Sequence, residues 1–270
     1  PIPPPVSSPM LPTRALIGMI HIQALPGTPH HSLPLDQIIA QAVAEAKVLD
    51  HAGFDGVIIE NMHDRPYLHG DKPPETVAAM TLVSAAVAEA TPRLIRGVQV
   101  LSGGNREALA IAAATGGTFI RCENFVFAHV ADEGLLSRAE AGPLLRYRRS
   151  IGATHLKIFA DIKKKHDSHA LTADVSIAEA TEAAEFFGAD GIIVTGPATG
   201  KPTSLADVAA VRSATTLPVL IGSGVHPESI KPLFEAGADA LIVGSWIKQE
   251  GRWSNALDPK RCGQIAAARP

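Results

Sequence analysis

The chain reads as an α/β protein, a single (β/α)8 barrel preceded by an extended N-terminal arm, and three observations lead there. An Ala-rich helical pattern repeatedly ends in glycine and passes into a short apolar run. The copies are Gly53-Phe54-Asp55-Gly56-Val57-Ile58-Ile59, Gly188-Ala189-Asp190-Gly191-Ile192-Ile193-Val194 and Gly237-Ala238-Asp239-Ala240-Leu241-Ile242-Val243, with looser ones from Gly116 and Gly152. Glycine suits the left-handed cap that ends a helix and turns the chain into a strand. The apolar runs are continuous rather than alternating, which implies strands buried on both faces, hence a parallel sheet. Eight β-α units in about 250 residues with no strand left over is the arithmetic of a TIM barrel. A doubly wound open sheet is the rival, but no G-x-G-x-x-G follows the first strand.

Taken in order, residues 1–14 are proline-rich and read as an extended, mobile arm, leaving 15–270 for the barrel. The first unit is expected at 15–22 and 34–51, with Asp36 in the first helical turn, where the macrodipole favours an acid. Strands then fall at 55–61, 95–102, 118–124, 154–162, 190–196, 218–223 and 239–244. Their helices follow at 74–90, 105–115, 136–150, 176–187, 204–214, 226–236 and 255–268, the seventh opened by Pro227.

Composition narrows the function. Over 270 residues, 24 basic and 27 acidic side chains give a net charge of −3, which lacks the basic field of a nucleic-acid binder. With 46% hydrophobic residues and balanced charge, the chain is no disordered protein. Two cysteines, Cys122 and Cys262, exclude a disulfide framework and point to a reducing compartment, cytoplasm or an organelle interior. No apolar stretch reaches the length of a transmembrane helix; the nearest, Val77 to Ala90, is short and carries Thr81 and Ser84.

In such barrels chemistry sits at the C-terminal ends of the strands. Those ends gather His21, Glu60-Asn61, Gln99, Arg121, Glu123-Asn124, Lys157, Asp161, His166 and Thr195, whereas the opposite ends show little beyond Asp-Gly starts that read as turn and helix-end residues. Asp161 and Glu60 are the acid/base candidates, with Lys157 or Arg121 to stabilise negative charge on an oxygen. Lys157, placed mid-strand, could face inward as a Schiff-base nucleophile or reach outward past its helix. Asn61, Glu123, Asn124, Thr195, His21 and His166 are candidates for substrate contacts. Glu60, Glu123 and Asp161 with His21 or His166 are also compatible with a divalent cation, though simple pairing with Arg121, Lys157 or a backbone amide accounts for each carboxylate as well. There is no H-E-x-x-H or paired-cysteine zinc spacing. The Lys163–Lys165 run is either an exposed loop or an attractor for an anionic ligand.

The last two loops are the most informative. Gly222-Ser223-Gly224 and Gly244-Ser245 lie after strands seven and eight, where exposed backbone N–H groups at helix starts commonly hold a phosphate.

These pieces resemble the BtpA family. The resemblance rests on Ile17-Gly18-Met19-Ile20-His21 with Leu25-Pro26-Gly27-Thr28-Pro29, and on Asp55-Gly56-Val57-Ile58-Ile59-Glu60-Asn61 with Asp64 and Pro66. It continues through Asp132-Glu133-Gly134-Leu135, Leu145-Arg146-Tyr147-Arg148, Ala160-Asp161-Ile162 with Lys165-His166, Thr195-Gly196-Pro197-Ala198-Thr199-Gly200 and Ile221-Gly222-Ser223-Gly224-Val225. It implies membership of the ribulose-phosphate-binding barrels, without an established reaction. Some members are cyanobacterial photosystem I biogenesis proteins, which implies peripheral membrane association. Leu101-Ser102-Gly103-Gly104-Asn105, and the extra lysine in Ile162-Lys163-Lys164-Lys165-His166, depart from the expected pattern.

Two functions follow as expectations. One is an enzyme acting on a small phosphorylated sugar or related metabolite, with isomerase, lyase and hydrolase chemistry all open and a homo-oligomer compatible. The other is a non-catalytic assembly or stability factor for a membrane complex such as photosystem I, which requires an exposed apolar patch or a basic amphipathic face.

Overall fold

The structure, a computed structural model, describes residues 11–164, 166–196 and 201–270. Eight parallel strands close into a barrel: β1 (Ala15–His21), β2 (Gly56–Glu60), β3 (Ile95–Gln99), β4 (Phe119–Cys122), β7 (Lys157–Ile162), β8 (Gly191–Val194), β9 (Val219–Gly222) and β10 (Ala240–Val243). Helices α1 (Leu35–Ala52), α2 (Pro74–Ala90), α3 (Asn105–Thr115), α4 (Ala141–Ser150), α5 (Ile177–Phe186), α6 (Leu205–Ala214), α7 (Pro227–Glu235) and α8 (Pro259–Ala267) surround it. The expected fold is therefore the observed one. The departure lies between β4 and α4, where the helix begins at Ala141 and not near 136. An antiparallel hairpin, β5 (His129–Ala131) and β6 (Gly134–Leu136), occupies the space before it. Its turn, Asp132-Glu133-Gly134, is flanked by short apolar segments, a hairpin signal weaker than the helical one beside it.

Strand alternation splits the core in two. One face of each strand packs under the helices, and the other forms a small cluster inside the barrel, including Ile17, Met19, Ile58, Phe119, Phe159, Ile193, Leu220 and Ile242. Phe119 and Phe159, with ring centroids 5.0 Å apart, fill much of the interior. Gly97 and Gly191 supply the room for them: a Cβ at Gly97 would run into the Phe119 ring, and one at Gly191 would come within 2.6 Å of Phe159. Of the arm, residues 1–10 lie outside the described residues. Its last part is docked and not free, since Leu11 packs against the inner cluster and Arg14 Nη1 donates to the Pro270 carbonyl at 3.1 Å.

The three Gly-x-Asp repeats have a job that differs from turn formation. Asp55, Asp190 and Asp239 each accept a backbone N–H from the start of a neighbouring strand: Leu16 at 2.8 Å, Ile158 at 3.0 Å and Val219 at 2.8 Å. Each also holds an arginine, respectively Arg269, Arg148 and Arg212. The N-terminal end of the barrel is thus stitched strand to strand by charge-assisted hydrogen bonds.

Candidate functional site

Two residues beyond each apolar inner position lies the next inward position, and there the chemistry changes. Met19 is followed by His21, Ile58 by Glu60, Gly97 by Gln99, Phe119 by Arg121, Phe159 by Asp161, Ile193 by Thr195, Leu220 by Gly222 and Ile242 by Gly244. A polar layer therefore sits on the apolar plug at the C-terminal end of the barrel. Above it opens a cavity of about 140 Å³, enough for several waters or one small ligand.

One wall of this cavity carries Gly222, Ser223, Gly224, Gly244 and Ser245; His21, Glu60, Arg121, Glu123 and His166 line the rest together with Gln99, Lys164 and Asp167. Gly222 is tightly placed, since a Cβ there would lie 3.2 Å from Ile193 Cγ2, whereas Gly244 has room for one. A Cβ on Gly222 would lie 3.6 Å from Arg121 Nη1, and one on Gly244 would lie 3.6 Å from His21 Cε1. Larger side chains there would grow toward the two cationic-capable groups of the floor. His21 is oriented by its Nδ1, 3.0 Å from the Trp253 carbonyl, and its Nε2 lies 3.8 Å from Glu60. The Trp253 ring is in turn flanked by His63, 4.9 Å between centroids, and by the Arg65 guanidinium at 5.1 Å. Burial, helped by Arg65 and Lys248, lowers the His63 pKa to about 4.

Several expected residues take other roles. Lys157 is the first residue of β7, at the N-terminal end of the barrel, where it pairs with Asp190 at 3.3 Å with its side chain 47% exposed. It is no cavity nucleophile: the strand starts at 157 rather than 154, so the inward parity of this position falls at the wrong end. Asp161 does point inward, but both its oxygens are taken by Arg121, Nε to Oδ2 at 2.8 Å and Nη2 to Oδ1 at 3.2 Å. It lies behind Arg121 and not on the cavity surface. Burial works against the Arg121 charge, and Asp161 and Glu60 more than compensate, raising its pKa. Asn61 ties two loops together, donating to Asp64 Oδ2 at 2.9 Å and accepting from the Leu101 N–H at 2.9 Å. Asn124, in a left-handed conformation at φ 53, donates to the Arg138 carbonyl at 2.6 Å and faces away from the cavity. Thr195 holds its inward position beside Gly222 without lining the cavity. The rest of its loop, Pro197-Ala198-Thr199-Gly200, lies outside the described residues.

The lysine run is divided. Lys163 Nζ donates to the Thr172 carbonyl at 3.0 Å, while Lys164 turns in and meets Glu123 Oε1 at 3.0 Å; Lys165 lies outside the described residues. Glu123 also accepts from Gln99 Nε2 at 3.0 Å and from the Gly103 N–H at 3.1 Å. Burial pushes the Glu123 carboxyl up, but Lys164 and these donors outweigh it and hold the group below the usual carboxylate range. Burial likewise opposes the Lys164 charge, and Glu123 and Asp167 overcome it, so its pKa is raised. Glu123 is a saturated anchor rather than an acid. Among the described residues no group of three or more His, Cys, Asp or Glu side chains is arranged to hold a metal ion.

Sequence reasoning did not select Asp167 or His129. Asp167 sits in the loop after β7 and His129 opens the unexpected hairpin, and their meeting depends on the cross-link between those two segments. No local pattern marks it.

Fold and cavity together define a (β/α)8 barrel protein with a cavity lined by polar and ionisable side chains at its C-terminal rim. The chain belongs to the BtpA family, whose model matches residues 12–269. It is 46% identical to an uncharacterised mitochondrial protein of Caenorhabditis elegans, covering 94% of this chain and 92% of that one. It is 36% identical to the photosystem I biogenesis protein BtpA of Synechocystis, over 94% and 87% of the two chains. Among solved structures it resembles (S)-3-O-geranylgeranylglyceryl phosphate synthase from Thermoplasma acidophilum in complex with sn-glycerol-1-phosphate, with a TM-score of 0.60 at 16% identity, covering 95% and 93% of the two chains. At that identity the likeness is one of fold. Among the described residues no helix is long and apolar enough to cross a membrane.

Proposed function

We propose that the chain is an enzyme acting on a small phosphorylated sugar or a related metabolite. The carrying observation is the division of one cavity into a wall of Gly222, Ser223, Gly224, Gly244 and Ser245 and a facing set of ionisable groups around the buried Arg121. Glycine lets backbone N–H groups approach an oxyanion closely, and the serine hydroxyls add donors. On this reading the phosphate rests on the glycine wall and the carbon skeleton reaches toward Arg121, Glu60 and His21. The fold neighbour crystallised with sn-glycerol-1-phosphate supports it as an analogy of architecture.

Thermal-shift and calorimetric titrations test the reading with sugar phosphates, their dephosphorylated counterparts and inorganic phosphate. A ligand that binds only the native state raises the melting temperature. The phosphorylated forms should bind and the dephosphorylated ones should not; equal binding of both overturns the phosphate assignment.

The assembly reading draws on a different surface. Phe186 and Phe187 meet edge to face, 5.6 Å between centroids, at the end of α5 and are 86% and 52% exposed, on the far end of the barrel from the cavity. Serine at both positions should impair such an assembly and leave ligand binding untouched.

A further inference from the structure

Resting on the phosphosugar reading above, we propose that Asp167, backed by His129, is the catalytic residue that takes and returns a proton at the ligand. The pairing is built by the fold. Val130 in the hairpin and Ser168 in the loop after β7 exchange two backbone hydrogen bonds, Ser168 N–H to Val130 O at 2.7 Å and Val130 N–H to Ser168 O at 3.1 Å. Across this antiparallel bridge His169 lies opposite His129, and the diagonal neighbours His129 and Asp167 meet through their side chains: Nε2 and Oδ2 lie 3.2 Å apart, and the Asp167 side chain is 1% exposed. Both atoms are buried without a hydrogen bond of good geometry to any other group among the described residues. One proton placed between them, on carboxyl or ring, satisfies both.

Four of the other candidates are committed elsewhere, and Glu60 faces His21 Nε2 at 3.8 Å. Asp161 is clamped by Arg121. Glu123 accepts from Lys164, Gln99 and Gly103. Lys164, held protonated by Glu123, is no nucleophile, and Lys157 is at the far end. Asp167 lines the cavity while its partner holds it from behind. The groups facing it are Lys164, 4.0 Å from Oδ1, the carboxylates of Glu123, Asp161 and Glu133, and the rings of His129 and His169, which lie 6.1 Å apart. Burial raises the Asp167 pKa to about 7, with Lys164 restraining the rise and the three carboxylates adding to it. Burial lowers His129 to about 4, together with Lys164 and His169. Near neutrality the shared proton belongs to the carboxyl, and the group is poised to lose and regain it.

With a ketose phosphate the step balances without a co-reactant. The Asp167 carboxylate takes the proton from the carbon beside the carbonyl: the C–H bond breaks, an O–H bond forms, and the C–H electron pair moves into an enediolate. Arg121 balances the charge that develops on its oxygen. Reversal returns the proton to carbon.

The full chain is incubated in D2O with dihydroxyacetone phosphate, ribulose 5-phosphate and fructose 6-phosphate in turn, with deuterium incorporation at carbon read by proton NMR and binding by calorimetry. The wild-type chain should exchange at least one of them above the buffer rate. D167N should slow that exchange about 100-fold or more, the scale of a lost general base, with a Kd within about twofold of wild type, the mark of a loss confined to the chemical step. H129Q should slow the exchange less than D167N does and displace its pH optimum. Wild-type exchange in D167N, an unmoved optimum in H129Q, or a wild-type chain that binds all three without exchanging any, overturns this assignment and leaves the ligand reading standing. Failure of all three compounds to bind overturns the ligand reading, and this assignment with it.

Discussion

Arg121 on β4 and Asp161 on β7 meet inside the barrel through two parallel hydrogen bonds of 2.8 and 3.2 Å, with side chains only 6% and 0% exposed. A guanidinium at the floor of a mostly apolar barrel is tolerable because the carboxylate behind it is fixed in the matching fork geometry. What reaches the cavity is the remaining edge of Arg121, a rigid positive charge.

D161N tests this arrangement. It keeps the shape and removes the charge, leaving Arg121 buried beside a neutral amide. Breaking a buried pair costs about 3–5 kcal/mol, and urea unfolding should show a loss of that order. Anion binding in the surviving folded protein should weaken as well, because Arg121 loses the carboxylate that fixes its fork. An unchanged midpoint would mean that the pair contributes no net stability.

G244V places two methyl groups beyond a Cβ that already lies 3.4 Å from Met19 Cγ and 3.6 Å from His21 Cε1. It should weaken inorganic phosphate at least about tenfold, ~1.4 kcal/mol. Calorimetry reads this directly. The same substitution should scarcely alter binding of a dephosphorylated analogue.

K157A should be nearly silent. The Lys157–Asp190 pair is half exposed, and Asp190 retains Arg148 at 2.6 Å and the Ile158 N–H at 3.0 Å. Stability should move by less than about 1 kcal/mol, and ligand affinity not at all. A large loss of affinity would restore the lysine to the site.

The pH dependence of stability separates Asp167 from His129. Asp167 holds its proton up to about pH 7 in the folded chain against 3.8 as an ordinary carboxyl, so the stability it confers is present at low pH and falls as pH rises from about 4 to 7. His129 titrates near 4 when folded against an ordinary 6.5, so its contribution rises with pH between those values. The two slopes oppose each other. Denaturation across pH 4 to 7 should show D167N gaining stability with pH more steeply than wild type; parallel curves would place the Asp167 titration elsewhere.

Much was legible without coordinates. The Gly53, Gly188 and Gly237 repeats adopt φ of 89, 89 and 111 degrees, as helix ends that need a left-handed residue do. Uniform apolar runs such as Ile192-Ile193-Val194 are buried on both sides, which follows from parallel pairing. Because the inward parity of a strand has period two, the residues just beyond those runs had to face the barrel axis if the run was a strand. Taking the C-terminal strand ends as the rim selected His21, Glu60, Arg121, Gly222 and Gly244, which line the cavity, and also Asn61 and Asn124, which do not.

Lys157 shows where the same reasoning gives out. Parity depends only on the spacing to Phe159 and Asp161, but the end of the barrel at which a residue lies depends on where the strand begins, and β7 begins three residues later than its apolar pattern suggests. Charge allocation was equally hidden. Three lysines in a row look alike, yet one turns inward and pairs with the buried Glu123 carboxylate. The sequence by itself determined the repeat, the closed parallel sheet and which side chains face its axis, because these follow from local backbone periods. Only the tertiary structure decided which carboxylates are spent in ion pairs and which stay open to the cavity, and that His129 meets Asp167. Those outcomes depend on distances between segments far apart in the chain, which no local pattern encodes.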